Sequence, residues 1–184
     1  MATNNAVNTT LSGQTGTGSF VGSTSPTLVT PTLGLATATS INFGGSTLAN
    51  YVVSTWTPTF TFATPGNLSV AYAGQAGYYI RIGSMVILQF SYAVTPTYTT
   101  ASGNAQITGL PFASSSSNIA TGVINTNGPT FPASTTFLHP VINPSVSFMI
   151  VQASGPGFTS SFLTTTNMAT GSTYALYGEI VYFI

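Results

Sequence analysis

Met85-Val-Ile-Leu-Gln-Phe-Ser-Tyr-Ala-Val94 is the stretch on which the fold turns. Its even positions, Val86, Leu88, Phe90, Tyr92 and Val94, are all apolar, whereas Gln89 and Ser91 fall on odd ones. A period of two places one face of an extended strand in a core. Working outward, Trp56, Pro58, Phe60 and Phe62 alternate with Thr57, Thr59 and Thr61. That predicts a second strand, at a sheet edge or with Pro58 at its start, because proline has no N–H to give a ladder. Val70 with Tyr72, and Tyr78 with Ile80 and Ile82, alternate over shorter spans.

Further strands are predicted at Gln106–Gly109, Ile119–Ile124, Ser147–Ala153, Phe158–Leu163 and Thr173–Ile184. Between them lie turn clusters such as Thr64-Pro-Gly-Asn67, Ser102-Gly-Asn104, Asn127-Gly-Pro129 and Gly155-Pro-Gly157. No stretch carries apolar residues at helical spacing behind a plausible cap. Many short strands at this spacing predict an all-β sandwich or barrel.

The composition excludes more than it assigns. Of 184 residues, 1% are charged, against roughly 25% in an ordinary soluble domain. Hydrophobic residues at 43% supply a core, so charge-driven disorder does not apply. One arginine and no lysine make no basic patch for phosphates or anionic lipids, so neither nucleic acid nor a membrane is an expected partner. No apolar run approaches the roughly 20 residues that span a bilayer. The N-terminus, Met1-Ala-Thr-Asn-Asn5, has neither a basic nor an apolar signal region.

Catalysis lacks material. The phosphate-loop motif needs a lysine, and Gly13-Gln-Thr-Gly-Thr-Gly18 has its glycines in the wrong order for a dinucleotide fingerprint. Glycosidase chemistry needs two carboxylates where this chain has Glu179 alone. A triad would have to use His139 with Glu179, and Phe137-Leu-His-Pro140 is no nucleophile elbow. The expectation is a non-enzymatic protein with no cofactor and no metal.

Arg81 and Glu179 each lie in a strand that otherwise reads as core. A buried charge needs a partner, so the sequence predicts that these two pair, within or between subunits. Loop aromatics are the candidate recognition residues. Tyr98 in Pro96-Thr-Tyr-Thr-Thr100 and Phe131 in Pro129-Thr-Phe-Pro132 have rings suited to stacking on sugars, with His139 as a loop or interface histidine.

The last strand argues for self-association. Its even face is Tyr174, Leu176, Ile180 and Tyr182, and its odd face, Tyr177, Val181 and Phe183, is as apolar apart from Glu179. A strand apolar on both faces is buried on both. The chain also has no lysine with which to guard its sheet edges.

Residues 1–50 differ in texture from 51–184: they are dense in Thr, Ser and Gly and poor in aromatics. They read as an extended segment that orders against partner chains. About 30 extended residues at ~3.3 Å each reach on the order of 100 Å.

Several stretches carry a resemblance. They are Leu11-Ser-Gly-Gln-Thr-Gly-Thr-Gly-Ser-Phe-Val-Gly-Ser-Thr-Ser-Pro-Thr-Leu-Val-Thr-Pro-Thr-Leu-Gly34, then Thr39-Ser-Ile-Asn-Phe-Gly-Gly-Ser-Thr-Leu48 leading into Thr55-Trp-Thr-Pro-Thr-Phe60, then Gly77-Tyr-Tyr-Ile-Arg-Ile-Gly83, and Ile107-Thr-Gly-Leu-Pro-Phe112. Together they resemble bacteriophage tail-fibre and virion-appendage proteins. The resemblance implies a homotrimer on the virion surface, released by host lysis. It implies a β head over 51–184, expected as an antiparallel, jelly-roll-like β-sandwich, behind an attachment or stalk segment over 1–50 that binds other virion proteins. It implies a role in host attachment, with host-surface polysaccharide as the expected contact. A capsid head fibre or decoration protein with a purely structural role is the alternative.

Overall fold

The computed structural model describes residues 41–42, 47–48 and 50–184, all within the unit Ala38–Ile184. The stalk reading of residues 1–50 lies almost entirely outside the described residues. Two short strands, β1 (Ile41–Asn42) and β2 (Thr47–Leu48), pair antiparallel with each other.

The remaining strands are β3 (Val52–Trp56), β4 (Thr59–Thr64), β5 (Ser69–Ile82), β6 (Met85–Thr97) and β7 (Ser102–Thr108). After them come β8 (Ala120–Asn127), β9 (Phe137–Ile142), β10 (Phe148–Ser154), β11 (Ser161–Phe162) and β12 (Tyr174–Phe183). They form one antiparallel sheet in the order β3-β5-β6-β12-β8-β9-β10-β7-β4, with β11 beside β10.

The expected sandwich of two separate sheets is therefore corrected to a single, strongly curled sheet. The reason is β8. Its residues Gly122 to Asn127 pair with β12, while Ala120 and Thr121 pair with β9. One strand thus belongs to both halves and carries the ladder round the bend. The described residues are all-β and antiparallel, in one curled sheet where a jelly-roll of two was expected.

The curl encloses the core. Val86, Leu88, Phe90, Tyr92 and Val94 of β6 are buried, as their alternation predicts, together with Leu176, Ile180 and Tyr182 of β12. From the other half come Phe60, Phe62, Ile107, Ile142, Met149 and Val151. Burying each such side chain contributes about 1.5–3 kcal/mol relative to leaving it in water.

The two ends of the sheet, β3 and β4, are neighbours in sequence. The predicted Trp56–Phe62 strand breaks at Thr57–Pro58, and its halves become opposite edges. Side chains, with no ladder, link the edges: the Tyr72 hydroxyl accepts from the Phe60 amide at 2.7 Å, and Gln75 Nε2 donates to the Pro58 carbonyl at 2.6 Å. Both groups come from either side of a register shift in β5 between Tyr72 and Gln75, where Gly74 has φ 91°. That bulge bends the strand and joins what the sequence suggests as two short strands into one. At the other end of β5, Gly83 at φ 61° opens the two-residue turn into β6.

Candidate recognition surface

The outer face of β9, β10 and β11 carries a cluster of aromatic and uncharged polar groups. Successive side chains of β9 alternate: Leu138 and Pro140 turn inward, while Phe137 and His139 face outward. Register sets His139 opposite Gln152 of β10, and Gln152 opposite Phe162 of β11. His139 Nε2 lies 2.9 Å from Gln152 Oε1, and Gln152 Nε2 donates to Ser160 Oγ at 2.9 Å. Since the glutamine nitrogen is committed to the serine, its oxygen must accept, and His139 Nε2 carries the proton. His139 Nδ1 is buried without a hydrogen-bond partner among the described residues.

The Phe137 ring leans on the imidazole, with centroids 5.7 Å apart, and remains 54% exposed. Phe158 stands in the turn between β10 and β11, two residues before Ser160, and is 58% exposed. An aromatic face beside neutral hydrogen-bonding groups suits a ligand that is apolar on one side and hydroxylated on the other.

Phe131 is also on the surface, at 39% exposure. Its loop is pinned on both sides: Thr130 N donates to the Asn167 carbonyl at 2.9 Å, Asn167 Nδ2 returns a bond to the Thr130 carbonyl at 2.9 Å, and Thr135 donates to the Pro132 carbonyl. The ring is therefore presented on a held backbone.

Tyr98 is different. Its hydroxyl lies 2.9 Å from the Thr165 carbonyl and 2.7 Å from that of Met168, and its ring meets Phe62 edge-on at 5.2 Å. Thr170 Oγ1 accepts from its backbone amide at 2.9 Å. The side chain named as a candidate ligand contact fastens the 165–170 segment to the core. Tyr98→Phe is expected to cost about 1–2 kcal/mol in denaturant unfolding, because the Thr165 and Met168 carbonyls lose the one proton they share. Amide exchange should quicken across residues 165–170 while ligand binding stays unchanged.

Arg81 and Glu179 are not brought together within the protomer. Cross-strand partners share a face. Arg81 is opposite buried Val86, on the inner side, whereas Glu179 is opposite exposed Gln89, on the outer side. Arg81 finds other company: its guanidinium stands 4.9 Å over the Phe112 ring and its Nε donates to the Gly83 carbonyl at 2.8 Å. A cation over an aromatic face is stabilised by the ring quadrupole, so the half-buried charge does not require a carboxylate.

The signal missed in the sequence is Phe137 itself, which alternation with His139 across Leu138 marks as an outward neighbour. His139 is a strand residue, not a loop one.

No protein-family profile matches the sequence, and no curated protein matches it either. Among solved structures, the chain is similar to the crystal structure of the Dettilon tailspike protein gp208, with a TM-score of 0.55 and 17% identity. The likeness covers 73% of this chain and 24% of that one, so this chain matches about a quarter of the tailspike's length. At that identity the likeness shows the fold.

Proposed function

We propose that the chain is a non-enzymatic phage tail appendage whose β head takes part in host attachment. The observation that carries this reading is the shared fold with a tailspike protein over 73% of the chain. In this reading the protein is a homotrimer on the virion surface, joined to other virion proteins through residues 1–50. Its head contacts host-surface glycan through the Phe137, His139, Gln152 and Ser160 cluster, with Phe158 and Phe131 as further exposed aromatics. The neutral surface supports a neutral ligand: with 1% charged residues, recognition rests on stacking and hydroxyl hydrogen bonds, and little salt dependence is expected.

The test is binding of the full-length chain to surface polysaccharide from candidate hosts. Phe137→Ala is expected to weaken binding about ten-fold, the loss of one stacking contact. Raising salt from 50 to 500 mM should leave binding within a factor of about two. Failure to bind any host envelope, with the chain found arrayed over a capsid lattice in virion images, would replace attachment by decoration.

A further inference from the structure

We propose that the outer face of β3, β5, β6, β12 and β8 is the surface on which sister copies of this chain pack, with Glu179 seated at its centre. The inference rests on the homotrimer reading above and adds which face makes the contact.

Register defines the face row by row. Val53, Ile80, Ile87 and Val181 lie side by side across four strands. The next row is Ile82, Met85 and Phe183. On the other side run Tyr78, Gln89, Glu179 and Val123, then Ser91, Tyr177 and Asn125. These large apolar side chains are in water: Val53 and Tyr78 at 61%, Val123 at 63%, Phe183 at 49%. The two-sided apolar character of β12 is thus satisfied on one side only. Tyr174, Leu176, Ile180 and Tyr182 are buried, whereas Tyr177 and Val181 are 47% and 46% exposed.

Size and charge select the occupant. Strands about 4.8 Å apart and a rise of about 3.3 Å per residue make this face roughly 20 Å by 25 Å, or on the order of 500 Å² in projection. That is at the upper end of apolar patches on monomers, and its accessible area approaches the ~800 Å² per partner of a standard interface. A sheet face of this kind packs on another sheet about 10 Å away.

The one charge on the face is Glu179, flanked by the amides of Gln89 and Asn125 around a shallow depression that also touches Val123 and Tyr177. Arg81, the chain's one basic side chain of the Lys/Arg type, is on the opposite side of the sheet. The complementary surface must therefore be largely apolar and supplied with amide donors for a carboxylate. Sister copies arranged about a threefold axis meet both requirements, because one copy's face then contacts a different part of its neighbour's face, which brings Gln89 and Asn125 amides toward Glu179 while the carboxylates stay offset from one another. A bilayer is a poorer match, because no lysine or arginine rims the face to engage headgroups.

Light scattering on the full-length protein tests the inference. Wild type is expected at a multiple of its 18.9 kDa chain mass. Val181→Lys and Ile80→Lys, both at exposed positions, are expected at the single-chain mass with an unchanged β circular-dichroism spectrum. Phe158→Lys, on the other surface, should stay assembled. Wild-type mass in both face variants would overturn the face while leaving self-assembly standing; a monomeric wild type would overturn both.

A second measurement does not depend on how the lysine variants fold. The chain has no cysteine, so Val181→Cys introduces a single thiol. A short bis-maleimide is expected to link copies of Val181→Cys and to leave Phe158→Cys unlinked. The reverse pattern, or vesicle binding by a monomer that Val181→Lys abolishes, would sink the inference.

Discussion

Replacing Trp56 with alanine is expected to cost about 3–5 kcal/mol of folding stability, the range for truncating a buried aromatic. Trp56 is the last residue of β3, where the chain leaves one edge of the sheet for the other. Its ring is 8% exposed and meets Phe90 edge-on at 6.5 Å. The indole Nε1 donates to the Gln89 carbonyl at 3.0 Å. Room for the ring comes from Gly77, its cross-strand partner, where an added Cβ would collide with the indole.

Gly77→Ala alone should therefore cost about 1–3 kcal/mol through overpacking. In the Trp56→Ala background the same change should be nearly free, so a double-mutant cycle by urea unfolding should return a coupling of about 1–3 kcal/mol. Additive costs would show that Gly77 and Trp56 act separately and that the edge is held by something else.

Stability should be almost flat from acid to pH 9 and then fall steeply above about pH 10. The acid side follows from composition: one acidic and one histidine side chain leave few groups whose protonation would separate folded from unfolded states. The alkaline side follows from buried phenols. Burial pushes Tyr182 up to about 12, and its hydroxyl donates to the Phe112 carbonyl at 3.1 Å. Tyr92 is raised well above the usual tyrosine range by burial, with Tyr72 beside it adding to the shift.

A phenol raised on folding is harder to ionise in the native state than in the unfolded one. Its contribution is fully present below the ordinary value near 10 and is lost as pH rises through about 12. For Tyr182 that contribution is on the order of 2–3 kcal/mol. Thermal melts at pH 5, 8, 10 and 11.5 check the profile. Tyr182→Phe should flatten its alkaline limb, and an equal fall between pH 5 and 8 would contradict the account.

Alternation made much of this fold legible. The even positions of β6 are buried as a period of two requires, and β12 does present apolar residues on both sides. Pro58 does mark an edge. What local pattern could not show is register. Whether β8 serves one sheet or two depends on which residues of β9 and β12 it meets, and no property of residues 120–127 announces that.

Strand β9 was hidden by Pro140. A proline is tolerated there because β9 pairs with β8 only through Val141 and Ile142, leaving that flank without a ladder beside residue 140. The structural role of Tyr98 was hidden for a related reason: the carbonyls that its hydroxyl meets lie 67 and 70 residues away. His139 was picked out by rarity, but its neighbours Gln152 and Ser160 are ordinary residues that become notable only when β9, β10 and β11 lie side by side.

The placement of β3 bears on how the head would respond to pulling. Among the described residues this strand has a single neighbour, and its first paired residue, Val52, faces Arg81 next to the β5–β6 turn. Tension entering from the N-terminal side would load that ladder one rung at a time, so the rungs from Val52 to Thr55 would part in sequence at low force. Rupture would then stall at the indole wedged over Gly77. A tether joined at this end would thus have the slack of four residues, roughly 13 Å at ~3.3 Å each, in series with a firm stop, and the surface around Phe137 and His139 would keep its shape while the slack is drawn.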